Sequence, residues 1–311
     1  MRLRNPAPDR TSRQAKGNAT GRGAEERPLA GQVALVAGAT RGVGRGVAAE
    51  LGQAGATVYV TGRSAARRRT LELGATVEEV AAEVSALGGS GIPVACDHTD
   101  DRAVGRLLER VRRQHARLDI LVNSVWGGYE MLHAGRVAEW RAPFWRQPTG
   151  LWDSMLDAGV RAHYVTTALA APLMIERGQG LVVTISFFPV ADAPVGFRVA
   201  KVADDRLAAD MAEQLRPHGV ASVSLYPGVV RTEAIMRVAD RLDLRGSESP
   251  RFTGRAVVAL ATDPDVLARS GEVLITAELA ELYGFDDIDG SRPASLRGGR
   301  RLRAVPTVTA G

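Results

Sequence analysis

The sequence predicts an α/β domain built on a doubly wound parallel sheet of about seven strands, with helices on both faces. Three observations predict it. Short apolar, β-branched runs alternate with amphipathic helical stretches, the pattern of parallel strands joined by crossover helices. The first such run enters a helix through a glycine-rich loop. The 311 residues are enough for one large domain with a full core, and no internal repeat divides them. Together these describe a Rossmann-like fold.

The glycine loop orders the rest. Within Gln32–Gly46 (QVALVAGATRGVGRG), Val33, Leu35 and Val36 read as a buried strand. Gly38, Gly42, Gly44 and Gly46 follow, with Val43, Val47, Ala48 and Leu51 at helical spacing. Glycine lets backbone N–H groups approach a ligand with no Cβ in the way. The first helical turn then offers unpaired N–H groups and a positive dipole end to a phosphate. Gly38, Arg41, Gly42, Val43 and Gly44 are therefore candidate nucleotide-binding residues; an ordinary βα turn is the alternative.

Ala56–Thr61 (ATVYVT) reads as strand two and ends at Gly62-Arg63-Ser64. An acid at this strand end would bind the 2′-hydroxyl of NAD. Here there is none, and Arg63 and Arg41 offer two guanidinium groups suited to the 2′-phosphate of NADP. Solvated surface charge is the competing reading of both arginines. Thr76-x-x-Glu79 reads as a capping box opening a helix with Val77, Val80, Ala81, Val84 and Leu87 inward. Ile92–Cys96 is strand three, ending in Asp97-His98. His98 stands as a bystander to the nucleotide, since no second His or Cys is spaced to share a metal; no metal site is predicted. Residues 100–116 form an amphipathic helix, and Leu118–Val122 is strand four, followed by Asn123.

Residues 123–150 read as a loop rich in aromatics: Trp126, Tyr129, Trp140, Phe144 and Trp145, with His133 among them. Such a loop past a strand end suits a substrate lid, and a small satellite core equally. A long helix is expected from about Gly150 to Arg177 and strand five over Gly180–Ser186. The next helix begins around Phe197 and Lys201, with Leu207, Met211 and Leu215 inward. Val220–Leu225 is strand six, running into Tyr226-Pro227-Gly228-Val229-Val230-Arg231-Thr232; residues 254–262 are helical and Glu272–Ile275 is a last strand.

Charge narrows the function classes. The net charge of +5 is confined to the ends. Residues 1–28 carry seven bases against three acids, and residues 291–311 carry five arginines and no acid, which leaves −4 for 29–290. A basic face for nucleic acid is not supported. Both tails are rich in Gly, Pro, Ala and Arg and read as disordered. No apolar run reaches membrane-spanning length, so no membrane partner is expected. The single Cys96 fits a reducing, cytoplasmic setting. Of 40 basic residues only Lys16 and Lys201 are lysine, which singles out Lys201 in the core.

The spacing Gly38-x-x-x-Gly42-x-Gly44 resembles the loop of the short-chain dehydrogenase/reductase family. So do VYVTGR, FWRQP with LWDS, GVRAHY, KVADDRLAADM with LRPHGV, and SLYPGVVRTE. The likeness covers about residues 29–285 and points to the subgroup like dehydrogenase/reductase member 1. It implies a single domain over 29–290, NADP(H)-linked carbonyl or hydroxyl chemistry on a small molecule, and a homo-oligomer. By the same resemblance Asp97 meets the adenine and Asn123 ties the central strands together beside the cofactor. Pro227, Gly228, Val230 and Thr232 contact the nicotinamide end. The family's catalytic Lys matches Lys201, which would hold the ribose hydroxyls and lower the pKa of the catalytic Tyr. That Tyr position holds Phe197, the Ser position falls on Phe187 with Ser186 one residue before, and the Asn of the proton relay maps onto Gly159. A phenyl ring cannot deliver the proton that a new alkoxide requires. Ser186, Tyr129, His133 and Tyr226 are the substitutes on offer. Three readings stay open: an oxidoreductase with an atypical proton donor, a non-redox dehydratase, isomerase or cyclase, or a silent NADP-binding protein.

Overall fold

The structure, a computed structural model, describes residues 27–70, 73–128, 136–188 and 193–298. The candidates Tyr129 and His133, like most of both tails, lie outside the described residues.

Seven parallel strands form one sheet in the order β3-β2-β1-β4-β5-β6-β7. They are β1 (Val33–Ala37), β2 (Thr57–Gly62), β3 (Ser90–Ala95), β4 (Ile120–Asn123), β5 (Gly180–Ile185), β6 (Val220–Tyr226) and β7 (Val273–Ile275). The order reverses between β1 and β4, where doubly wound sheets bind their ligands. β1 is buried along its whole length, so its alternate side chains feed two cores. Ala34 and Val36 pack with helices α1 (Gly42–Gln53) and α2 (Val77–Ala86). Val33, Leu35 and Ala37 face the opposite layer, with α3 (Asp101–His115) and its Val104, Leu107 and Val111.

Local signals explain several boundaries. The capping box forms as read: Thr76 Oγ1 accepts from Glu79 N at 3.2 Å, and Glu79 Oε2 accepts from Thr76 N at 2.8 Å. Asp100 caps α3 by accepting from Arg102 N and Ala103 N. After α4 (Val137–Arg141), the long helix expected over 150–177 runs without interruption from 149 to 177, as α5 (Thr149–Met155), a stretch of wider π-type turns over Leu156–Arg161, and α6 (Ala162–Arg177). Gly159 lies in the wide turn, and a Cβ there would stand 3.3 Å from the Trp126 ring.

Two expectations need correction. Gly46 belongs to a helix crossing rather than to the phosphate loop. A Cβ on it would meet the Pro250 carbonyl at 2.2 Å, where α9 (Pro250–Thr262) crosses α1. In α7 (Val195–Leu215) the buried face is Gly196, Ala200, Lys201, Asp204, Ala208, Ala212 and Leu215; Leu215 is buried as read and Met211 packs against the core, while Leu207 is only partly covered. Small residues let this helix lie close to the sheet, and the face also carries a buried ion pair. The chain after β7 continues into α10 (Thr276–Tyr283), which the sequence reading did not anticipate. Residues 291–298, assigned to the tail by composition, are fastened back by Arg292 to Asp286 and Arg297 to Glu278.

Candidate active site

A cleft of about 320 Å³ opens at the C-terminal ends of the central strands. The β1–α1 loop forms one wall. Gly38 and Gly42 take positive φ, +82° and +51°, which suits glycine. A Cβ on Gly44 would stand 2.2 Å from the Gly38 carbonyl oxygen, so this turn has no room for a side chain. Arg41 precedes α1 in extended conformation. Gly38, Arg41, Gly42, Val43, Arg63, Asp97 and His98 all line the cleft, as do Pro227, Gly228, Val230 and Thr232 from the segment after β6. The structure thus brings together candidates lying up to about 190 residues apart.

A dinucleotide can be tested against this wall through one contact. Gly42 N, at the start of α1, donates 2.9 Å to Glu233 Oε2 from α8 (Glu233–Met236). The carboxylate stands in for a phosphate oxygen: the loop already holds an anionic oxygen at the helix N-terminus, so the residues fit the group.

Asp97 accepts from Thr99 N and Oγ1 at 3.0 and 2.7 Å. Burial would raise its pKa, but those hydrogen bonds and the charge of Arg63 outweigh it and hold the carboxyl below its usual range. His98 is buried between Thr61 Oγ1 at 2.8 Å and Thr166 Oγ1 at 3.0 Å. The Thr61 hydroxyl donates to Val36 O, so it accepts from His98 Nε2–H, and Nδ1 accepts from Thr166. Burial, aided by His163, pushes the imidazole down to about 4 and keeps it neutral. Cys96 is inert for the corresponding reason, its thiol pushed up to about 12 by burial and by Asp97.

The opposite end of the cleft is aromatic around one cation. Lys201 Nζ donates to Ile185 O and to Asp204 Oδ2, each at 3.1 Å, and sits 4.8 Å from the Trp126 ring centroid. Asp204 is fully buried and also takes 2.8 Å from His163 Nδ1, while His163 Nε2 faces Val125 O at 3.1 Å. Burial opposes the Asp204 charge, but Lys201 and His163 win, so its pKa is lowered. Sequence reading missed both partners. Lys201-x-x-Asp204 was legible as one helix face; His163, 41 residues from Asp204, was not.

Phe197 packs edge-on to Trp126, Trp140 and Phe187, with ring centroids 5.4, 6.4 and 6.4 Å apart. The aromatic loop therefore divides. Trp126 lines the cleft, Trp140 joins a small core with Leu151, Met155 and Ala200, and Phe144 and Trp145 are exposed. Ser186 also lines the cleft, but its Oγ donates to Lys201 O at 3.1 Å. The Tyr226 hydroxyl donates to Asp205, and burial, aided by that hydrogen bond, raises its pKa well beyond the ordinary phenol. Asn123 is fully buried; its Nδ2 donates 2.9 Å to Thr167 on α6, so the tie runs from sheet to helix rather than between strands.

Comparison with known proteins agrees with this geometry. A family model described as short chain dehydrogenase matches residues 32–243. Dehydrogenase/reductase SDR family member 1 of Mus musculus is 42% identical over 281 residues, covering 85% of this chain and 85% of the relative. The Homo sapiens protein of that name is 41% identical over the same length and coverage. A metagenomic short-chain oxidoreductase, solved in complex with NADP, is 29% identical with a TM-score of 0.62, covering 80% of this chain and 97% of that one. With the strand order, the glycine turn and the buried lysine all in this frame, the chain belongs to the short-chain dehydrogenase family.

Proposed function

We propose that the chain is an NADP(H)-dependent oxidoreductase that interconverts a carbonyl and a hydroxyl group on a small hydrophobic substrate. The observation that carries this reading is the two-ended cleft, with an anion-holding glycine turn at one end and Lys201 within an aromatic wall at the other. The dehydrogenase names of the relatives favour redox chemistry over the non-redox and silent readings.

Gly42 and Gly44 would face the pyrophosphate. Arg41 and Arg63 would meet the 2′-phosphate, which supports NADP over NAD because no acid ends β2. A related structure holding NADP agrees with that preference. Asp97 would accept from the adenine amino group, and Pro227–Thr232 would close on the nicotinamide end. The bound dinucleotide supplies the hydride. Lys201 would then present its charge to the ribose and the substrate oxygen, clamped from behind by Asp204 and Ile185 O. Phe197 has no proton to give, so the donor is another group or water.

The test is NADPH oxidation against a carbonyl panel, followed by absorbance, for the native chain and Lys201→Ala. The native chain is expected to turn over, and the variant to lose about 10²-fold or more. Equal rates in both, or none in the native chain, would refute the reading.

A further inference from the structure

We infer that the substrate is a planar conjugated dicarbonyl of the quinone class, whose reduced oxygen is held as an anion by the clamped Lys201 within the walls of Trp126, Phe187 and Phe197. This rests on the oxidoreductase reading and narrows it.

Three features of the site converge on that class. First, among the described residues, positions 197, 186, 226 and 159 offer the reacting corner no available proton donor. Residue 197 is phenylalanine, Ser186 Oγ is bonded to the backbone of Lys201, and Tyr226 donates to Asp205. Gly159 sits where a relay side chain would be needed, and the Trp126 ring fills the space beside it. Second, the corner keeps a fixed cation. Two of the three Lys201 N–H groups go to Ile185 O and Asp204, and the ammonium lies over the indole. Third, Trp126, Phe187 and Phe197, packed edge-on to one another at 5.4 and 6.4 Å, give this end of the cleft an apolar aromatic wall.

Chemistry decides which carbonyl such a site can serve. Hydride addition to an isolated ketone leaves an alkoxide, about as basic as hydroxide, which needs a positioned acid. Reduction of a quinone leaves a hydroquinone anion, whose conjugate acid is phenol-like with a pKa of about 10. Such an oxygen persists as an ion pair with an ammonium until water protonates it. Hydride would add to a ring carbon conjugated with the carbonyl, bringing two electrons; charge settles as an enolate on the oxygen facing Nζ, water protonates that oxygen, and the ring C–H proton passes through water to the second carbonyl oxygen as the ring becomes aromatic. The products are the hydroquinone and the oxidised dinucleotide.

Two measurements test this on the purified full chain, after an NADPH titration. In the first, initial rates with 1,4-naphthoquinone and with cyclohexanone are compared for the native chain and Phe197→Tyr. The expected kcat/KM for the quinone exceeds that for the ketone by about 10²-fold or more in the native chain. Phe197→Tyr should raise the ketone rate about 10²-fold and change the quinone rate less than about threefold. In the second, 4-nitrophenol is added to the dinucleotide-free chain at a pH where the free probe is mostly protonated. The bound probe should absorb as the yellow phenolate, and Lys201→Met should bind it, if at all, as the colourless phenol. Comparable rates for ketone and quinone, an inert quinone, or a probe bound neutral would each overturn the substrate class while leaving the reductase reading in place. Failure to bind NADPH at all would remove both.

Discussion

Replacing Asp204 by Asn isolates the clamp on Lys201. The carboxylate accepts from Lys201 Nζ at 3.1 Å and His163 Nδ1 at 2.8 Å, and it has no solvent exposure. An amide of the same shape offers one oxygen and one NH₂ to two donors, so one contact becomes donor against donor. Lys201, only 8% exposed at its side chain, is left as a buried cation without its counter-ion. Breaking a buried pair on one side costs about 3–5 kcal/mol. For a domain of this size each kcal/mol moves the melting temperature by about 2–4 °C, so a loss of about 6–20 °C is expected by calorimetry. Because the folded-state pKa of Asp204 is lowered, its stabilising effect is present above the ordinary carboxylate range and lost as pH falls through the folded value. The deficit of Asp204→Asn should therefore shrink in acid. Asp210→Asn, which breaks the exposed pair with Arg206, is the control and should melt with the native chain. If Asp204→Asn also melts with the native chain, the clamp does not exist and the argument for a fixed cation fails.

Other expected outcomes follow from single contacts. Glu233→Gln removes the carboxylate that bonds Gly42 N, so NADPH should bind about fivefold more tightly, an effect that salt diminishes. Gly44→Ala places a Cβ 2.2 Å from a backbone oxygen; a loss of about 1–3 kcal/mol in stability and of dinucleotide binding is expected from melting and titration. Burial pushes the Glu248 carboxyl, which lies beneath Gly228, up to about 7 from 4.5 despite hydrogen bonds from Gly228 and Thr253. The folded chain then holds a proton that the unfolded chain releases, so this group favours the fold at low pH and its help fades between about 4.5 and 7. Glu248→Gln should gain on the native chain by up to about 3 kcal/mol across that window; a constant difference would refute the shift.

Much of the architecture could be read from residue patterns because it rests on local rules. Strand β1, the glycine turn, the capping box at Thr76 and the lysine on α7 each carry their signal within a few residues. The candidate site was legible where it is contiguous, at 38–44 and 227–232. What escaped depends on chain segments that meet only in the folded state. Glu233 reaches Gly42 across 191 positions, and His163 reaches Asp204 across 41. Gly46 looked like part of a phosphate loop because a glycine's role is set by its neighbour, here the backbone of Pro250. The inward face of α7 was legible only in part, at Met211 and Leu215, for a related reason. Apolar periodicity marks Leu207 and Met211, but Ala200, Ala208 and Ala212 fit close to the sheet, and a paired charge accompanies them inside.

The central property proposed for this cleft is that it takes a phosphorylated nicotinamide dinucleotide. Calorimetric titration of the purified chain with NADPH and NADH measures it. Saturable one-to-one binding of NADPH is expected, about tenfold or more tighter than NADH, with the difference reduced in Arg63→Ala. A chain that binds neither dinucleotide would contradict the account at its root.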